Sequence, residues 1–299
     1  MRPLFLLLVL CATGNLYAQG CSDAGFCSAG ALKAGYTADS MMHSKDAIGL
    51  SFAIADGEKG TMVYIPQLEI KKQVGKRGAL ELKLPYNMAN GTLGNHAGPG
   101  DIIITYSSSV KEKNKDWKWN YTVGTRIGVG NANATDANGM SLPMVYQSSL
   151  GTTDIIAGIS AGWTQYLSMA VGYQQPILQY NHNDYIGVDY FSSKGLKRMG
   201  DVLLRAEAHY NRKHSGVSAG PLFIYHLADD KMVVNGEDVI LTGSKGLTLN
   251  LTASYYYEWK KCRFDISAGT PLAVRKYRPD GLTREWVVSP RLIYFFGKK

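Results

Sequence analysis

The sequence predicts an all-β fold, a transmembrane antiparallel up-and-down β-barrel of about twelve strands. Three observations carry this reading. Apolar side chains recur at every second position from about residue 46 to the end. No Asp, Glu, Lys or Arg falls on the apolar rows. Connections alternate between short and long, except that the first hairpin, at residues 56–60, is short on the long-loop side. Side chains two apart share a sheet face, so each row is one side of a strand. A soluble sandwich also alternates. Short turns at one end and long loops at the other, around an even number of strands, favour the barrel. Closure is then required, because lipid cannot satisfy unpaired strand edges.

The chain opens with Met1-Arg2-Pro3, a short positive region, and an unbroken apolar run over residues 4–12. Leu16-Tyr17-Ala18 offers a small residue at the cleavage position, so residues 1–18 are expected to be a secretory signal peptide, too short to span a bilayer. Lipidation at Cys21 is the alternative. Residues 19–45 are rich in Gly, Ala and Ser with no strand period, and are expected either to plug the lumen or to form a loose tail. Cys21 and Cys27 lie six apart in an oxidising compartment and are expected to form a disulfide. No further Cys or His stands near them at metal-ligand spacing. Cys262 is single and expected to be inert.

The barrel occupies residues 46–299. Its first row is Ile48, Leu50, Phe52 and Ile54; Met62, Tyr64, Leu68 and Ile70 form the second, and Leu80, Leu82, Leu84 and Tyr86 the third. Ile102, Ile104 and Tyr106 follow, then Trp117, Trp119, Tyr121, Val123 and Ile127, then Ile155, Ala157, Ile159 and Trp163. The seventh strand, about residues 168–180, has no clear phase, since Gln174, Gln175 and Gln179 fall on both faces. Val202, Leu204 and Tyr210 mark the eighth strand, and Val217, Phe223 and Tyr225 the ninth. The last three carry Leu247, Leu251 and Trp259; Phe264, Ile266 and Leu272; and Trp286, Leu292, Tyr294 and Phe296. Long links cover residues 89–100, 130–151, 181–200, 229–245 and 273–283. Aromatic residues collect at the short-turn end, as in a girdle at a membrane interface, and Tyr86, Tyr180, Tyr190 and Tyr225 are expected near the other interface. Pro66, Pro85, Pro176, Pro221 and Pro290 fall inside strands and predict bulges or kinks.

The opposite rows would line the lumen. They carry Lys71, Lys83, Lys118, Arg126, Arg205, Arg263 and Arg291 against Glu69, Glu81, Asp154, Glu207, Glu258 and Asp265. The signs nearly cancel, where a strongly selective pore would show one. These charges are expected either to pair across the lumen or to mark a polar pathway for a small solute. Many other inward positions are small, among them Ser51, Ala53, Gly124, Gly128, Gly158 and Gly172.

Composition narrows the classes. Charged residues are 19% of 299, below the roughly 25% of soluble domains, and Cys numbers only 4. Collagen, a disulfide-dense miniature scaffold and a disordered acidic tail are excluded. Lys+Arg 32 against Asp+Glu 24 gives +8, but the basic residues do not cluster, so no nucleic-acid partner is expected. No cofactor or metal motif is present. His96, His182, Asp184 and Asp189 lie in or near long loops without a spacing that would mark a catalytic group, so an enzyme is not expected.

Two further spots are Gly98-Pro99-Gly100-Asp101, before a strand, and Pro143, Gln147, Gly151 and Asp154 in LPMVYQSSLGTTD. With the signal peptide and barrel pattern, these resemble outer-membrane transporter-like proteins of the phenol-degradation MetA-pathway family, a relative of FadL-type channels. The resemblance implies location in the outer membrane, contact with its lipid, and passive uptake of small solutes, apolar or aromatic ones among them. The alternative is a non-transporting barrel that serves the envelope, or binds a partner, through its long loops. The sequence does not fix the oligomeric state.

Overall fold

The computed structural model describes residues 20, 21, 32, 45–110, 116–163 and 166–296, the first two by backbone alone. The expected signal peptide, most of the candidate plug and the expected Cys21–Cys27 pairing lie outside the described residues. Twelve strands form the barrel: β1 Asp46–Asp56, β2 Met62–Val74, β3 Gly78–Gly91, β4 Ile102–Ser109, β5 Trp117–Ile127, β6 Thr152–Trp163, β7 Leu167–Gln179, β8 Asp201–Asn211, β9 Ser215–His226, β10 Gly246–Trp259, β11 Cys262–Ala273 and β12 Trp286–Phe296. Each pairs antiparallel with its sequence neighbours, and β12 pairs with β1 from Trp286↔Asp56 to Phe296↔Asp46, which closes the cylinder. Closure leaves no barrel edge with unpaired backbone groups.

The alternation read from sequence is the alternation of the wall. Outward positions carry large apolar side chains that stand exposed among the described residues, such as Leu50, Ile159, Val171 and Leu251. That surface is stable only against acyl chains, since a soluble protein rarely exposes so broad an apolar band. Trp119, Trp163, Tyr210, Tyr257, Trp259, Tyr294 and Phe296 stand exposed at the short-turn end. Trp117 stacks on Trp119 at 6.0 Å, and Tyr257 on Trp259 at 6.0 Å. Such amphipathic rings favour the headgroup level. Tyr86, Tyr180 and Tyr225 are exposed near the other end. Tyr190 departs from expectation. It is buried, with its ring edge-on to Tyr146 and its hydroxyl 3.1 Å from the Thr61 hydroxyl. It lies in a loop that folds over the mouth, where strand periodicity carries no information.

Proline acts differently from expectation at three of five positions. Pro176 does coincide with a register shift, between Thr153 and Asp154 on β6. The shift re-phases β7, so that Gln174 points inward while Ile177 and Leu178 lie exposed. Pro85 lies at another shift: Lys83 pairs with Ile103 but Tyr86 with Pro99, so two residues of β3 face three of the partner. Pro66, Pro221 and Pro290 interrupt pairing on one side without changing register. Losing one ladder donor at each is tolerated because the flanking pairs hold the register.

At the long-loop end, β3 continues into a hairpin in which Tyr86–Gly91 pairs with Gly94–Pro99. The connection from β9 to β10 holds a small hairpin, Lys231–Val234 with Glu237–Ile240. Its two-residue turn is Asn235-Gly236, both with positive φ, the backbone such a turn requires. The connection from β5 to β6 folds inward through a buried 3-10 turn, Met144–Tyr146.

Candidate functional site

An internal cavity of about 250 Å³ occupies the barrel. Its floor and walls come from β1, β2, β3, β11 and β12, and its roof from Met144, Val145, Tyr146 and the stretch 147–150 with Leu282 and Arg284. Six cationic side chains border it, Lys83, Arg126, Arg205, Arg263, Arg284 and Arg291, against three carboxylates, Glu69, Asp101 and Asp265. The near-neutral balance expected from the strand rows therefore does not hold at the cavity surface. The reason is direction: Asp154 is turned toward Arg126, Arg198 and Gln174, and Glu258 toward Arg263.

Toward the short-turn end the inward charges form one network. Arg291 reaches Glu69 at 3.1 Å and Asp265 at 2.6 Å. Arg263 donates to Asp265 at 2.6 Å and to Glu258 at 3.2 Å, and its guanidinium lies 4.1 Å from the Tyr256 ring centre. Lys83 stands 3.9 Å from Glu81. Lys71 is opposite Glu81 in the β2–β3 ladder, and Glu69 opposite Lys83. Lys118 sits at the short-turn end and is exposed, away from the cavity. Glu207 is buried and accepts from the Thr252 hydroxyl at 3.4 Å. Charges of this kind, desolvated and paired with good geometry, hold wall residues in fixed rotamers.

A second network, nearer the loops, was only partly visible in sequence. The two Gly-rich spots converge on Arg126. Its guanidinium contacts Asp154, and its Nε lies 3.8 Å from Asp101. Beyond Asp154 lies a ring of alternating charge. Arg198 meets Asp280 at 3.5 Å and Arg275 meets Asp280 at 2.5 Å. Arg275 continues to Asp230 at 3.4 Å, and Asp230 faces His226 Nε2 at 2.7 Å. His226 Nδ1 faces Asp201 at 2.6 Å, and Asp201 returns to Arg198 at 3.1 Å. Both imidazole nitrogens thus point at carboxylate oxygens, the arrangement of an imidazolium donating twice. Burial raises the Asp280 carboxyl, but Arg275 and Arg198 outweigh it and hold the group below the usual carboxylate range. The ring ties the β7–β8, β9–β10 and β11–β12 connections to the ends of β8 and β9.

Period-2 phase would place Asp201 and His226 inward, at strand ends. Arg198, Asp230, Arg275 and Asp280 lie in loops, where no period exists to find them. The interior also holds apolar side chains that the lumen reading passed over. Ile103, Ile156, Ala170, Leu203 and Leu222 cluster around Leu32, all buried. Among the described residues no group of three or more His, Cys, Asp or Glu is arranged to hold a metal ion.

Glu58, in the tight turn between β1 and β2, faces Lys59, Arg278, Asp280 and Arg284. Burial, partly opposed by Arg278, pushes its carboxyl up to about 7. The folded chain then holds a proton that the unfolded chain releases near pH 4.5, so stability falls as pH rises from about 4.5 to 7. Glu58→Gln removes this dependence. Wild type and variant are expected to unfold alike below pH 4.5. At pH 8 the variant should be more stable by about 1–2 kcal/mol, read by urea unfolding in vesicles.

No family model matches the chain, and no curated protein matches it. Among solved structures it is similar to the COG4313 outer membrane channel from Pseudomonas putida F1. The TM-score is 0.60 at 14% identity, over 84% of this chain and 96% of that one. It is more distantly similar to the KdgM porin, with TM-score 0.45 and 11% identity over 84% and 99% of the two chains. A Pseudomonas aeruginosa FadL homologue gives 0.41 and 12% over 93% and 99%. The first of these likenesses establishes kinship of fold: the chain is built as a closed β-barrel like that of a known outer-membrane channel.

Proposed function

We propose that the protein is an outer-membrane channel for passive uptake of a small solute, with a preference for anions. The observation that carries this reading is the contrast between the two faces of one wall. The exterior is an apolar band without charge, and the interior encloses a cavity bordered by six cations and three carboxylates. The sequence resemblance to the MetA-pathway proteins, and the likeness of fold to the Pseudomonas putida outer membrane channel, support transport as the task. The charge excess supports the anion preference, since a cavity of one dominant sign concentrates the opposite ion.

The test is planar-bilayer recording on the purified, refolded protein under a potassium chloride gradient. The expected result is single-channel current with a reversal potential on the chloride side. A folded protein that passes no current would refute the channel. A potassium-side reversal potential would refute the anion preference. The loop-mediated, non-transporting reading draws support from the charge ring that binds three outer connections together, and a silent barrel would favour it.

A further inference from the structure

We propose that the short-turn rim of the barrel is a binding surface for anionic phospholipid. Cations gathered from separate turns would engage the head-group phosphates of the leaflet at that end. Such a surface rests on the lipid-facing wall and is independent of what the lumen carries.

First, the fold collects cations that the sequence scatters. Lys76 and Arg77 lie in the turn from β2 to β3, Arg212 and Lys213 in that from β8 to β9, and Lys260 and Lys261 in that from β10 to β11. All six are exposed, and none has an ion-pair partner among the described residues. The last two turns are neighbours, since the Glu258 N–H donates to the His214 carbonyl at 2.7 Å. Of the carboxylates at the rim, Asp46 is held by Lys72 at 2.5 Å and Glu258 by Arg263 at 3.2 Å. The opposite end differs. There Lys194, Lys197, Arg198 and Arg275 each have a carboxylate within 3.3 Å. Second, rim cations stand on the lipid side. The Arg212 guanidinium lies 5.5 Å from the ring centre of Tyr210, an outward and exposed residue. Lys260 directly follows Trp259, which is outward, exposed and stacked on Tyr257. Third, Trp259 pairs with Cys262, so Lys260 and Lys261 form a two-residue turn, and Lys260 has φ 52. That backbone favours Gly, Asn or Asp, so a lysine there adds strain that a turn former would avoid.

The aromatic girdle fixes the depth. Its rings favour the head-group level, so residues just beyond them stand among phosphates. Lysine and arginine suit that position, because their apolar stems lie along the wall while the charge reaches out. The layout favours lipid over a protein partner. The turn from β2 to β3 is separated from the other two by β4–β7 on one side and by β12 and β1 on the other. A rigid acidic protein would have to bridge the barrel mouth to touch all three. Lipids surround the barrel and reach each turn independently. An anionic leaflet attracts each nearby cation, and salt screens that attraction within a Debye length.

The experiment reads quenching of tryptophan fluorescence by brominated lipid, with the full-length protein refolded in phosphatidylcholine vesicles. Trp117, Trp119, Trp163 and Trp259 lie at the short-turn end and report on it. Brominated phosphatidylglycerol is compared with brominated phosphatidylcholine at equal content. At low salt the protein is expected to prefer the glycerol lipid by at least about threefold. In about 0.5 M sodium chloride the preference should fall toward equality. It should also vanish in Lys76→Gln/Arg77→Gln/Arg212→Gln/Lys213→Gln/Lys260→Gln/Lys261→Gln, and persist in Lys194→Gln/Lys197→Gln/Lys245→Gln at the other end. Migration on unheated gels checks that each variant is folded. Should the sixfold variant not fold, Arg212→Gln/Lys213→Gln must lower the preference, and the salt series on wild type decides as well. Equal quenching by the two lipids in wild type would overturn the surface. So would a preference that survives salt or the rim substitutions. Loss of the preference on adding soluble glycerol phosphate would show a site for free phosphate, and would overturn the assignment to lipid. None of these outcomes depends on whether the barrel conducts.

Discussion

Arginine in place of Ile159 is expected to lower folding stability in phospholipid vesicles by about 2–4 kcal/mol. Ile159 is the centre of an outward patch. Val171 stands opposite it on β7, and Trp163, four residues on, marks the aromatic girdle. It is 55% exposed, so the substitution overpacks nothing and removes little protein contact. In water the change would be close to neutral, as surface substitutions usually are. In a bilayer the guanidinium must drag water inward or bend toward the interface. Val110→Arg, beside the short-turn end, should cost no more than about 1 kcal/mol, because the penalty falls off toward the headgroups. The depth dependence is the decisive readout. Equal costs at the two positions in urea titrations, or no cost at either, would contradict the lipid-facing assignment.

The same alternation explains how much of the architecture could be read in advance. Period 2 is enforced wherever one face meets lipid and the other a polar lumen, so strand number, phase and the short-turn aromatics were legible. The phase of β7 was not, because the shift at Pro176 moves residues between faces. Inward charge was legible as a set, since Glu69, Arg263, Asp265 and Arg291 share a phase. Its balance was not, because direction within the lumen depends on partners from distant strands: Arg291 meets Glu69 across 222 positions of sequence. The pocket around Leu32 was passed over for a related reason. Leu203 and Ile156 are apolar residues on polar rows, and one apolar side chain on a polar face means little until five strands bring several together.

Arg198→Met is expected to loosen the outer connections while leaving the barrel closed. Arg198 is buried and serves Asp201 at 3.1 Å, Asp280 at 3.5 Å and Asp154 at 3.9 Å. Without it three carboxylates with almost no solvent access lose a shared cation. Removing one partner from a buried ion pair typically costs about 3–5 kcal/mol, chiefly the penalty of stranding the other charge. The strands are held by their own ladders, so the cost falls on the ring that fastens residues 181–200, 229–245 and 273–283. These connections should become sensitive to added protease, and bilayer current should rise as the roof of the cavity opens. Arg198→Lys should restore only part of the protection, since a single ammonium cannot span three carboxylates in the plane of a guanidinium. The discriminating variant is Arg198→Met/Asp280→Asn. It removes one of the stranded charges and should recover stability relative to Arg198→Met alone. If the second substitution made matters worse, the ring would be a product of shape packing rather than of charge balance. Loops that resist protease in Arg198→Met would show instead that the apolar contacts of Met144, Leu150, Leu196 and Leu241 suffice to hold the roof. The ring's alternation, three cations between three carboxylates, makes the charge account the stronger one, because each member neutralises two neighbours and no single loss can be absorbed locally.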